Sequence, residues 1–171
     1  MTRPPGWGLL AVWALHDAEE LARVGRWTAE RLPALRDDLP WVPERVWRAL
    51  SSVDEREFAA AVGLMGLLVA AVAREGRRTG GRSAVYRAAV DGFGLHGVVH
   101  LAQAAAVRAW TPGAATSAAL VVPWSLWARA RLRAAGAPPV RARDAVAGLA
   151  LAAGAVAGSH AVARRLVRGR A

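Results

Sequence analysis

Residues 58–73 read FAAAVGLMGLLVAAVA, a run without one polar side chain, bracketed by Glu57 and Arg74. A helix in a water-exposed bundle keeps a polar face, and this stretch has none. Residues 145–158, AVAGLALAAGAVAG, have none either. A chain of 171 residues cannot easily hide two such helices in its interior. As a helix, 58–73 covers about 24 Å, a little short of a ~30 Å hydrocarbon core, and flanking arginines can snorkel to make up the difference. The pattern therefore predicts a membrane protein.

Charge fits that reading better than its competitor. All 23 basic residues are Arg, against 13 acids, for a formal charge of +10. A nucleic-acid binder gathers such charge on one face or stripe, whereas most of these arginines sit between apolar runs, where lipid headgroups lie. No nucleic-acid partner is expected; the expected partners are the lipid bilayer and a small-molecule or lipid substrate. The chain has no Cys, which excludes disulfides, thiol catalysis and thiolate metal sites. The apolar start at Gly6–Leu15 runs into acids where a signal-peptide cleavage site would fall, so this segment is expected to stay in the mature protein.

The periodicity predicts an all-α, polytopic membrane helix bundle forming one domain over 1–171. It has about five membrane-embedded helices at about 6–27, 58–73, 83–110, 112–128 and 144–167. A short interfacial helix is expected at about 41–50, where Trp41, Val42, Val46, Trp47 and Leu50 fall on one face. The segment from Thr28 to Glu57 reads as a polar connection broken by Pro33, Pro40 and Pro43. In "WTPG", Thr111 is placed to cap and Pro112 to occupy the first helical position. Pro123 predicts a kink, and Gly154-x-x-x-Gly158 a surface for close helix approach. Trp7, Trp110, Trp124 and Trp127 lie at or near span ends, as interfacial anchors would. Arginine is shared almost evenly between the two sides, so orientation stays open.

Against this apolar background the polar residues stand out, because an ionisable group at membrane depth costs about 2.5–3.5 kcal/mol on insertion scales. On the first helix His16, Glu19, Glu20 and Arg23 share an arc of about 100°, with Asp17 off it. On the 83–110 helix His96, His100 and Gln103 share an arc of about 60°, and Asp91 faces the opposite way. Histidines at i and i+4 can grip one metal ion. His160, the last of the four histidines, joins by spacing alone. The candidate metal ligands are therefore His16, Glu20, His96, His100 and His160, for a divalent ion such as zinc or iron. Glu19 and Glu20 are candidate catalytic bases or ligands, with Arg23 and Gln103 in support. Two signals are set aside. "GFGLHG" matches a dinucleotide-binding glycine pattern but has no preceding strand. Thr116, Ser117 and Ser159 have no neighbouring base in sequence.

"HDAEE" at 16–20 fits H-x-x-E-E, and "HGVVHLAQAAAVRAWTPG" at 96–113 carries a His followed by Pro-Gly opening the next helix. The chain resembles the HXXEE-domain proteins, small bacterial multi-helix membrane proteins without an established activity. The resemblance carries His16, Glu19, Glu20 and His100 over as site residues and Pro112-Gly113 as architecture; it implies the bacterial plasma membrane as location. The family's pattern has Asn where this chain has His96, either an added ligand or a neutral swap. His160 does not carry over.

Two functional readings follow. One is a metal-dependent membrane enzyme, hydrolase-like, acting on a lipid or other membrane-accessible substrate. The alternative is a non-catalytic binder or small transporter whose polar stripe binds a cation or relays protons.

Overall fold

In the computed structural model, residues 6–52, 54–138 and 142–168 are described. The elements among them are all helical: α1 (Gly6–Asp38), α2 (Glu44–Ser51), α3 (Glu55–Arg78), α4 (Ala84–Ala106), a single turn α5 (Ala114–Thr116), a π turn (Ser117–Val121), α6 (Val122–Ala134) and α7 (Ala142–Arg168).

The first helix is longer than its apolar pattern. It runs through Pro33 to Asp38, past the expected end near Trp27. Proline costs a helix interior one hydrogen bond; here the continuation buries Leu32 and Leu35 against Trp47 of α2, and Trp47 donates its indole N–H to Val42 O at 3.2 Å. The 41–50 segment is thus a short helix tied to the far end of α1. Helix α3 begins at Asp54, whose carboxylate accepts the Arg56 and Glu57 amides, both at 2.9 Å. It extends beyond 58–73 at both ends and stops at Gly80 and Gly81, both at positive φ.

Neighbouring contacts give the directions. Trp13 touches Gly66, and Gly25 meets Glu55, so α1 and α3 are antiparallel. His16 meets His96 and His100, so α4 lies beside the same stretch of α1. Gly94 faces Ser125 and Gly97 faces Val121, so α4 and α6 are antiparallel. The core between them holds Leu9, Tyr86, Val90, Ala128 and Leu132.

Three sequence expectations change. The helix after "WTPG" starts at Ala114, not at Pro112. Gly113, at φ 80°, is its N-cap, and no side chain of its own caps it. The region around Pro123 is a π turn followed by α6: Val122 N–H bonds Ser117 O, five residues back. The wider turn leaves room for a residue that has no N–H to offer and crowds the preceding turn. Gly154 and Gly158 are exposed, and a Cβ at either would meet nothing within 4 Å, so they mark no helix contact among the described residues.

Among the described residues, α3 is the one helix long and apolar enough to cross a membrane, by length and composition, and only 17% of its apolar window is buried inside the molecule. Helix α1 carries His16, Asp17, Glu19, Glu20 and Arg23 inside its span, and the fourth expected segment is divided by the π turn.

Candidate metal centre

Angular position on α1 explains how HDAEE is used. With His16 at 0°, Glu20 falls at about +40°, Asp17 at about +100° and Glu19 at about −60°. Glu19 therefore points to one side of His16, and Glu20 and Asp17 to the other. On the Glu19 side lies the α5 turn. Its N-cap is glycine and offers no acceptor, and Glu19 supplies one from a separate helix. Glu19 Oε2 accepts the Thr116 amide at 2.8 Å and the Thr116 hydroxyl at 2.6 Å. A carboxylate at a helix N-terminus meets both free amides and the favourable end of the dipole.

Thr116 then sets the tautomer of His16. Its single hydroxyl proton goes to the carboxylate, so Oγ1 accepts from His16 Nδ1–H at 2.9 Å. His100 is fixed in the same way, because Nδ1 lies 3.0 Å from Pro112 O, a carbonyl that only accepts. Both rings therefore carry their proton on Nδ1 and turn the Nε2 lone pair inward. Metal-binding histidines are held by this same arrangement of an outer acceptor.

The inward atoms converge. His96 Nε2 lies 3.1 Å from His16 Nε2 and 3.0 Å from His100 Nε2. Glu20 Oε1 is 3.2 Å from His100 Nε2 and 3.9 Å from His16 Nε2. All four ligand atoms lie within 4.8 Å of one another. A tetrahedral zinc ion with bonds of about 2.0–2.1 Å sets its ligands about 3.3 Å apart, close to the three shorter of these separations. His96 Nε2 has at most one proton to offer the two facing lone pairs, and Glu20 Oε1 faces His100 Nε2.

The walls hold this geometry tightly. His16 is fully buried and His100 nearly so, while His96 is exposed. Phe93 stacks on His96 at 6.2 Å and meets the edge of His16 at 5.9 Å. A Cβ on Gly113 would come within 2.9 Å of both the His16 and His100 rings, so only glycine fits, on space as well as on φ.

The other expected residues take separate places. Arg23 Nε is 4.0 Å from Glu19 Oε1 but its side chain is half-exposed, a weak pair. Gln103 is exposed and outside the cluster. His160 is not in the cluster. It lies 3.4 Å from Glu57 Oε1, which also accepts from Arg164 Nε at 2.7 Å. Asp91 pairs with Arg129 at 2.9 Å. Glu19 serves Thr116 and does not face the ligand atoms. Two participants were not expected from the sequence, Thr116 and the Pro112 carbonyl, and Asp17 is buried on the Glu20 side.

The family model described as "Protein of unknown function with HXXEE motif" matches residues 7–128. The chain belongs to this family. No curated protein and no solved structure matches the chain. The matched span holds every residue of the cluster and ends within α6, before α7. In this HXXEE protein the motif's His faces the cluster, its first Glu binds the α5 turn, and its second Glu faces the cluster again.

Proposed function

We propose that this HXXEE protein is an integral membrane enzyme that uses a divalent ion, zinc or iron, held by His16, His96, His100 and Glu20. It hydrolyses an ester or amide of a membrane-accessible substrate. The observation that carries the reading is the convergence of three imidazole Nε2 atoms and one carboxylate oxygen, two of the imidazoles having their lone pairs aimed inward by Thr116 and Pro112.

A polytopic membrane setting is supported by the outer surface. Leu15, Leu67, Leu95, Leu126, Val156 and Leu166 are all about half-exposed or more, on five different helices. Apolar exposure spread around a whole bundle suits lipid better than water. The cluster sits level with the middle of α3, since Trp13, one turn before His16, touches Gly66. Ionisable groups at that depth are retained for function.

A divalent ion held by these residues would supply a water acidic enough to lose a proton near neutral pH. Asp17, buried beside Glu20, is the carboxylate free to take that proton, because Glu19 is engaged with Thr116. The water oxygen adds to the substrate carbonyl carbon, the C–O or C–N bond breaks, and Asp17 returns the proton to the leaving oxygen or nitrogen. Phe93 and the surrounding apolar walls keep other water away.

Elemental analysis of detergent-purified protein tests the reading. The expected result is one zinc or iron per chain, lost in His16→Ala and His100→Ala and kept in His160→Ala. Metal-free protein whose His100→Ala variant only melts earlier would overturn it in favour of a proton-bonded network or proton relay.

A further inference from the structure

A cavity of about 570 Å³ lies between α1, α3, α4 and α7 and reaches the cluster at one end. That volume is in the range of small-molecule sites. Its length follows from its lining. On α1 it runs from Leu9 to Glu20, and on α4 from Val85 to His96. Either stretch measures about 16 Å at ~1.5 Å per residue. The wall is apolar along most of this path. Its polar groups, Asp17, Glu20, His96, Ser159 and His160, are confined to one end. No arginine lines the cavity among the described residues.

We propose that the cavity binds a lipid with a single apolar chain and an uncharged ester or amide head, the head against Glu20 and His96 and the chain running toward Leu9. The one-ended polarity fixes the orientation, because a polar head among Leu9, Val69 and Val72 would lose its hydrogen bonds. In the metal-free protein an anionic head is disfavoured, since it would meet two carboxyl groups with no guanidinium beside them. Access is through apolar surface, because the half-exposed lining residues Leu68, Val85 and Val156 bring the cavity wall to the outside of the bundle. Gly92, on the α4 wall, has open space where a Cβ would be, so a side chain added there enters the cavity without striking protein.

The substrate class rests on the enzyme reading for its reaction, but the binding does not need the metal. The test uses the full chain in phosphatidylcholine nanodiscs and a brominated-chain monoacylglycerol as probe. Quenching of Trp13, a cavity residue, is taken as the difference between wild type and Trp13→Phe. Saturable quenching is expected, weakened at least about tenfold by Gly92→Phe and unchanged by Gln103→Ala, which lies outside the cavity and the cluster, with the brominated fatty acid anion binding more weakly to chelator-treated protein. Ala155→Phe, on the facing α7 wall, repeats the block should Gly92→Phe not fold. Undiminished quenching in a folded blocking variant, or equal binding of the anion, overturns the proposal. Saturable binding to protein that purifies without zinc or iron would leave the cavity assignment standing while the hydrolytic reading falls.

Discussion

At the scale of single residues, Thr116 is the pivot. Its amide and hydroxyl both satisfy Glu19, and its oxygen in turn fixes the His16 ring. Outer partners of metal-bound histidines are worth about 10–100-fold in affinity. Thr116→Val should weaken zinc binding by about that factor, while Thr116→Ser, which keeps the hydroxyl, should stay within a few-fold of wild type; competition with a chelator measures both. Gly113→Ala should be more damaging, because the new methyl meets two imidazoles at once and φ is positive. Its expected outcome is loss of bound metal together with a lowered thermal midpoint. A variant with full metal content would show that Gly113 does not shape the cluster. Of these residues, His16, Glu20, His96 and His100 were legible in the sequence, because the 3.6-residue period places i and i+4 on one face. Thr116 was not, since nothing local shows that a hydroxyl a hundred positions away will dock beside His16.

At the scale of elements, the α5 turn and α7 show two ways in which a helix is fixed by another helix. The α5 turn lacks its own cap and receives Glu19 from α1. Helix α7 is tied to α3 by Glu57, which is buried and holds both His160 and Arg164. Glu57→Gln removes the charge from this contact. With Arg164 half-exposed and free to be hydrated, the expected cost is about 1 kcal/mol, read by thermal or denaturant unfolding. Metal content should not change, because Glu57 lies outside the cluster. The helix boundaries were only partly legible. Pro33 signals an end to α1 by propensity, yet burial of Leu32 and Leu35 against Trp47 carries the helix through it. Pro112 likewise reads as a helix start, while the chain uses its carbonyl for His100 and begins the helix after Gly113.

At the scale of the whole molecule, the exposed apolar surface and the cavity describe one design, a bundle apolar both on its outside and along its inner passage, with the polar groups of that passage at one end. The membrane reading predicts that the protein stays in the pellet when membranes are washed with alkaline carbonate and is released by detergent. Release by carbonate alone would show a peripheral attachment and remove the basis for a lipid substrate arriving from the bilayer. Two arginines at one end of the bundle belong to this scale too. Arg77 lies over the Trp7 ring at 5.4 Å and Arg131 over Trp127 at 5.8 Å, pairings of cation and half-exposed indole that suit the boundary between lipid and water.

The sequence by itself determined that the chain is helical, that it belongs with the HXXEE proteins, and that four particular His and Glu residues lie on two helix faces. Those properties follow from periodicity and from a short motif, and both are local. Only the tertiary structure decided that the two faces meet, that the motif's first Glu serves the α5 turn while the second faces the ligand atoms, and that His160 and Gln103 stand apart. A difference of one residue turns a side chain by about 100°, and which neighbour it then meets depends on how the helices dock.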